Sequence, residues 1–219
     1  MVQVPMATTN MSETVAWTQA AIDRIGFENI HSIQPGNEAD LYHDDYRGEG
    51  GAFLGPPKYQ GTMNNASYVG NYTRYVNRIL QDVKVPNKRI FTAFDIASHA
   101  GDYNASAWTF DLETSFAMGI DAASVLKEVA HHYYQNRAGG AADLEEGLMT
   151  LSKTHEHLDS FRPRIEWLRK NRPDLPFIIN EVGNSLEPKN RYEYQNRLGS
   201  TLWQVDFYLY AIHIGVARM

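Results

Sequence analysis

Short apolar runs alternate with helical stretches along this chain, and that alternation constrains its fold more than any other feature. Parallel strands cannot be joined by a tight turn, so the chain between them crosses over, usually as a helix. Strands are predicted at Val2–Met6, Ile30–Ile33, Arg89–Ile96 and Val125–Tyr134, and from Phe177 onward. The pattern predicts an α/β fold built on a parallel sheet.

Apolar residues recur at helical spacing between the predicted strands. Helices are predicted at Ser12–Ile25 and Tyr68–Val83, from Leu144 to Leu168 with a break near Pro163, and from Leu198 to Ile212; Val216–Met219 has the character of a further strand. A closed barrel of eight strand-helix units takes about 250 residues. For 219 residues we therefore expect one incomplete domain over 1–219, a partial (β/α)8 TIM barrel.

Two glutamates, Glu38 and Glu181, each follow an asparagine where a predicted strand ends, with glycine nearby. Parallel barrels carry their catalytic residues at the carboxyl ends of strands. Chance alone supplies roughly one Asn-Glu pair in such a chain, so position rather than number supports a catalytic role. Retaining glycosidases use two carboxyl groups, one as acid and base and one as nucleophile. We therefore predict glycoside hydrolysis, with Asn37 hydrogen-bonded to the 2-hydroxyl of the sugar.

Composition narrows the range of partners. The net charge is −6 and no run of Lys or Arg is present, which argues against nucleic acid or an anionic membrane and favours a small carbohydrate substrate. The absence of cysteine excludes thiolate nucleophiles and zinc-thiolate sites. We predict no metal and no cofactor, and the sequence carries no signal for an oligomeric state. No stretch reaches the roughly 18 apolar residues of a membrane span.

The cellular location is indicated by glycosylation sequons. They begin at Asn10, Asn65, Asn71 and Asn104, where composition predicts roughly one or two. The N-terminus lacks the basic and apolar regions of a signal peptide. The sequons favour secretion of the full-length protein.

Three segments together resemble glycoside hydrolase family 79, which contains β-glucuronidases and heparanase-like enzymes. They are Gly36–Tyr42, His131–Tyr134 and Ile179–Ser185, and Ile214–Met219 is similar to the entry into that family's eighth strand. The resemblance covers nearly the whole chain. It implies a retaining β-glucuronidase on a (β/α)8 barrel, with Glu38 as general acid/base and Glu181 as nucleophile.

The chain departs from the family pattern in two respects. Ala39 stands where the family usually has proline after the acid. Family members also have two strand-helix units before the position of Met1 and a β-sandwich domain after the barrel. The resemblance therefore identifies this chain as a fragment running from about strand three to the start of strand eight.

Side chains alternate between the two faces of the predicted strand at Val125–Tyr134, so His131 and Tyr133 share one face and His132 and Tyr134 the other. The resemblance implies that His131 and Tyr133 line the sugar pocket. It further implies that Tyr133 hydrogen-bonds the nucleophile.

The loop after the second glutamate completes the predicted site. The resemblance implies that Gly183 and Asn184 bind the carboxylate of the uronic acid through backbone amides, as other anion-binding loops do.

Three alternatives remain open beside an exo-acting β-glucuronidase. A heparanase-like enzyme would cleave within a long anionic chain, for which basic clefts are needed. A catalytically silent fragment or sugar-binding relative would keep the fold without the reaction. A metal-dependent hydrolase would use His131, His132 and Asp95 as ligands.

Overall fold

A computed structural model of the protein describes residues 1–6, 10–42, 63–97, 110–136, 144–185 and 195–219. These residues form two compact units. The first takes in the described residues of 1–96 and 110–130, and the second takes in residue 97 and the described residues of 131–219. The sequon at Asn104 lies outside the described residues.

The strands form one five-stranded sheet in the order β1-β2-β3-β4-β5. Their bounds are β1 Val2–Val4, β2 Ile33–Pro35, β3 Phe91–Ala93, β4 Leu126–Tyr134 and β5 Phe177–Gly183. β1 with β2, β2 with β3, and β3 with β4 pair in parallel. Spatial order equals chain order, so each strand reaches its neighbour through a crossover. The predicted α/β fold with parallel strands is confirmed, and it is consistent with part of a (β/α) barrel.

Six α-helices lie in the described part of the chain. They are α1 Met11–Ile25, α2 Asn65–Asp82, α3 Leu112–Ala117, α4 Leu151–Asp159, α5 Arg162–Asn171 and α6 Leu198–Ile214. The predicted break is confirmed, because α4 ends before Pro163 and that proline lies in the first turn of α5. Proline is tolerated there since the first backbone N–H groups of a helix have no partner within it. Every helix among these residues falls short of the length and apolar character needed to cross a membrane.

Strand β2 lies further along the chain than the predicted Ile30–Ile33. Residues Phe27–Asn29 form a short 3₁₀ turn, and the Ile30 amide donates to the Phe27 carbonyl at 3.1 Å. Strand pairing begins only at Ile33, which lies opposite Val2 in β1 and Phe91 in β3. The strand therefore ends at Pro35, directly before the segment that carries the first glutamate.

Tyrosines of α2 anchor this helix to β3 in the first unit. The hydroxyl of Tyr72 donates to the Thr92 carbonyl at 2.9 Å, and the hydroxyl of Tyr68 accepts from the Phe94 amide at 2.7 Å. Both rings are buried. Buried tyrosines need such partners for their hydroxyl groups. These two bonds hold α2 against the carboxyl end of β3.

A buried carboxylate links β3, β4 and the residues directly before β2 in the first unit. The side chain of Glu128 in β4 accepts hydrogen bonds from Ser32 at 2.8 Å and Thr92 at 2.9 Å, and the ring of His31 lies 3.0 Å from its other oxygen. Burial of a charge is costly unless it is hydrogen-bonded. These contacts offset that cost.

Helix α6 exposes the apolar residues whose spacing predicts a helix. The apolar stripe at helical spacing is exposed, with exposed fractions of 50% to 74%, and consists of Leu198, Leu202, Val205, Leu209 and Ile212. The buried face consists of Gly199, Trp203, Phe207, Ala211 and Ile214. A helix that is apolar on every side has no unique inward face in its sequence pattern. Here the bulky aromatic rings occupy the core.

Candidate active site

The first glutamate lies just past the carboxyl end of β2, on an uncommon backbone conformation. Gly36 has a φ of 87°, and Glu38 has φ 47° and ψ 49°, in the left-handed region. The Glu38 amide donates to the Asp95 carbonyl at 2.8 Å, which anchors this conformation to the chain just after β3. Left-handed residues other than glycine are uncommon and gather at functional sites.

Asn37 is held by two contacts of different kinds. Its side-chain Oδ1 accepts a hydrogen bond from Gln3 Nε2 at 2.7 Å, and its backbone amide donates to the Tyr42 hydroxyl at 3.1 Å. Burial raises the pKa of Tyr42 to about 12. The phenol is therefore neutral at ordinary pH and accepts the amide without introducing a charge beside Glu38.

Asp95 lies beneath this segment and is nearly fully buried. Its Oδ2 accepts from Gln34 Nε2 and, at 3.3 Å, from Gln3 Nε2. Two amide donors on one buried carboxylate oxygen stabilise a charge that would otherwise be costly. The sequence predicted neither glutamine as part of the site, because polar residues in these runs had no pattern that set them apart.

The second glutamate lies in β5 and is held at both oxygens. The hydroxyl of Tyr134 donates to Glu181 Oε1 at 2.5 Å, and His132 Nδ1 lies 3.6 Å from Oε2. The exposed fraction of the Glu181 side chain is 41%, against 1% for His132. The carboxylate is thus contacted by the half-buried Tyr134 and the buried His132 of β4 and is still open to a ligand.

The structure places His131 and Tyr133 on the face of β4 opposite to His132 and Tyr134, so the prediction that they line the sugar pocket and that Tyr133 hydrogen-bonds Glu181 is wrong. The ring of His131 stacks on Phe177 at 5.2 Å, and Tyr133 packs 4.7 Å from Phe207, measured between ring centroids. Both side chains are fully buried. The hydrogen bond predicted for Tyr133 is made by its neighbour Tyr134.

The proposed metal ligands on β4 are not brought together. His131 and His132 point to opposite faces of the strand, and a single ion requires both rings on one side. Burial, together with the nearby Arg164, holds the pKa of His131 well below its usual range. His131 is therefore a neutral core residue in the second unit.

The end of β5 passes directly over the Tyr134 ring. A Cβ atom at Gly183 would overlap the ring carbons of Tyr134, so only glycine fits this close approach. Beyond it, Asn184 Nδ2 donates to Ser200 Oγ at 2.5 Å, and the Asn184 carbonyl accepts from Asn136 at 3.3 Å. Asn184, one of the predicted uronate-binding residues, is thus tied to the chain just after β4 and to α6.

Comparison with known proteins found two similar proteins that are named as glucuronidases. No family model matches the chain. A β-glucuronidase of Neurospora crassa is 25% identical over 210 residues, which cover 91% of this chain and 34% of the relative. A 4-O-α-L-rhamnosyl-β-D-glucuronidase of Fusarium oxysporum 12S, solved in complex with Rha-GlcA, matches with a TM-score of 0.69 at 16% identity, covering 99% of this chain and 42% of that one. The chain thus has a β-glucuronidase homologue and a glucuronidase-like fold, and it spans about a third of the curated relative.

Proposed function

We propose that the protein is a retaining glycoside hydrolase of family 79, acting as an exo-β-glucuronidase. The observation that carries this proposal is the carboxylate of Glu181 in β5, oriented by Tyr134 and His132 and open to a ligand. A preorganised carboxylate is what a covalent step at a sugar carbon requires. The Neurospora relative named β-glucuronidase supports the choice of reaction.

In this proposal Glu181 is the nucleophile and Glu38 the general acid/base. Glu181 attacks the anomeric carbon while Glu38 gives its proton to the departing oxygen, so the glycosidic bond breaks and a glycosyl ester forms. Glu38 then takes a proton from water, which attacks the same carbon and releases Glu181. The product keeps the β configuration. The mechanism requires the two carboxyl groups about 5 to 5.5 Å apart around the substrate.

The remaining residues bind the sugar. Asn37 hydrogen-bonds the 2-hydroxyl, an interaction that strengthens in the transition state. Gly183 and Asn184 are assigned to the uronate carboxylate. Tyr134 and His132 take the role that the sequence had given to Tyr133 and His131.

The direct test is hydrolysis of an aryl β-D-glucuronide and the matching β-D-glucoside by the purified chain. We expect the glucuronide to be cleaved faster, and we expect NMR to detect the β anomer of glucuronic acid first. Equal rates on both substrates would overturn the uronate assignment, and a first-formed α anomer would overturn the retaining mechanism. A folded chain that binds glucuronic acid without cleaving either substrate would indicate the silent sugar-binding relative.

Tyr134→Phe is expected to lower kcat on the aryl glucuronide about 10- to 100-fold. It removes a hydrogen bond to an ionised group, which is worth about 1.5–3 kcal/mol. The matched control is Tyr133→Phe on the opposite face, which removes a hydroxyl that donates to Gln135 instead. Steady-state kinetics and melting temperatures of both variants check this prediction. Equal losses of kcat in the two variants would contradict the role of Tyr134.

Gly183→Ala is expected to lower kcat about tenfold or more, because the new methyl group displaces the Tyr134 ring and breaks its bond to Glu181. The same substitution at Gly70 of α2 is the control, since a Cβ there meets no atom within 4 Å. Gly70→Ala should stabilise the helix by about 0.5–1 kcal/mol. Kinetics and thermal denaturation of both variants measure these effects. Unchanged activity in Gly183→Ala would show that Tyr134 can move without loss.

A further inference from the structure

We propose that Gln3 is a positioning residue that presents the side-chain amide of Asn37 to the substrate with its NH2 group outward. The proposal rests on the function assigned above. Gln3 does not touch the substrate. Its hydrogen bond to Asn37 determines which end of the Asn37 side-chain amide is available to the substrate.

The contact between the two amides decides the orientation of Asn37. Gln3 Nε2 donates to Asn37 Oδ1 at 2.7 Å. An asparagine amide has one acceptor end and one donor end, and the acceptor end is engaged by Gln3. The end left for a ligand is Nδ2, a donor that matches the oxygen of a sugar hydroxyl.

The orientation of Gln3 is set in turn by the groups around it. Its Nε2 also lies 3.3 Å from Asp95 Oδ2 and 3.3 Å from the Gly36 carbonyl. All three neighbours of this nitrogen are acceptors, and only the NH2 end of the glutamine amide can donate to them. The buried carboxylate of Asp95 therefore sets the orientation of the Gln3 side-chain amide. Gln3 in turn sets the orientation of the Asn37 side-chain amide.

The test measures how much the substrate's 2-hydroxyl group contributes to kcat/KM when Gln3 is present and when it is replaced. Wild type, Gln3→Met and Gln3→Glu are assayed on an aryl β-D-glucuronide and on its 2-deoxy counterpart. We expect Gln3→Met to lower kcat/KM on the glucuronide about three- to tenfold with little change on the 2-deoxy substrate. The change is modest because Gln3 is exposed to water. In Gln3→Glu, kcat/KM on the glucuronide should fall at least as much. The new carboxylate accepts a hydrogen bond from Asn37 Nδ2, which turns Asn37 Oδ1 outward.

Gln34→Met is the matched control, because Gln34 donates to the same Asp95 oxygen and to the Gly36 carbonyl, whereas Gln3 also donates to Asn37 Oδ1. Its rates on the two substrates should fall together, so their ratio stays constant. A constant ratio in both Gln3 variants would overturn the proposal, since a merely structural role lowers both rates alike.

A second readout separates this proposal from the proposed function. The NMR signal of the Asn37 side-chain amide should shift in Gln3→Met and stay in place in Gln34→Met. If wild type cleaves neither substrate, the hydrolase assignment fails while this shift still reports whether Gln3 orients Asn37. An unmoved signal in Gln3→Met would overturn the positioning role.

Discussion

Replacing Glu181 by glycine is expected to lower hydrolysis of an aryl β-glucuronide by a factor on the order of 10⁴ or more, as the loss of a covalent nucleophile commonly does. Removal of this side chain also removes its contacts with the Tyr134 hydroxyl and with His132. The remaining acid cannot form the glycosyl ester. Steady-state kinetics with wild type as reference measure the loss.

Added azide gives this prediction a stereochemical test. In Glu181→Gly, azide can occupy the space of the missing carboxylate and attack the anomeric carbon directly. One displacement inverts the configuration, so the expected product is the α-glucuronyl azide. Formation of the β-azide, or activity close to that of wild type, would show that Glu181 is not the nucleophile.

Replacing Glu38 by glycine is expected to have the second largest effect, and its size depends on the leaving group. General acid catalysis contributes about 10²- to 10⁴-fold, so a phenyl or alkyl glucuronide should lose about that much. Dinitrophenolate departs without protonation, so formation of the glycosyl ester from a dinitrophenyl glucuronide should be nearly unaffected. The rate of glycosyl-ester formation, measured with a series of aglycones of increasing acidity, checks this dependence.

The product formed with azide distinguishes Glu38 from Glu181. In Glu38→Gly the ester on Glu181 still forms, and azide attacks it in a second displacement. Two inversions retain the configuration, so the expected product is the β-glucuronyl azide. An equal loss with every aglycone would contradict the role of Glu38 as acid, and an α-azide would contradict the order of the two steps.

The order of strands and helices could be predicted from the sequence because each element carries its own periodicity. The aromatic density of Val125–Tyr134 favours a strand, and β4 occupies Leu126–Tyr134. The boundaries were less accurate, as in β2, where a 3₁₀ turn delays the strand to Ile33. Such a turn depends on local hydrogen bonds that the hydrophobic pattern does not record.

The face of β4 that carries the site could not be predicted from alternation. Alternation separates two sets of side chains, but both faces of this strand are buried, so hydrophobicity does not separate inside from outside. Charge was no better guide, because Lys127 lies on the face of Tyr133 while Glu128 lies on the face of Tyr134. The structure resolves the choice through Gly183, whose close approach leaves room only for Tyr134.

The same limit applies to α6. Its exposed stripe follows helical spacing as regularly as a buried one would, so the pattern predicts the helix but not the face that it buries. Side-chain volume determines which face of α6 is buried, because Trp203 and Phe207 fill the space beside Tyr133. Packing of particular shapes is a property of the folded unit that a binary pattern does not contain.

The left-handed backbone at Glu38 has a consequence for the thermodynamics of the fold. An L-residue with a Cβ gives up roughly 1–2 kcal/mol in this conformation, whereas glycine adopts it at almost no cost. A sequence optimised for stability alone would therefore not place glutamate there. In Glu38→Gly, lost activity and a higher melting temperature should appear together, which would mark this position as a trade between catalysis and thermal resistance.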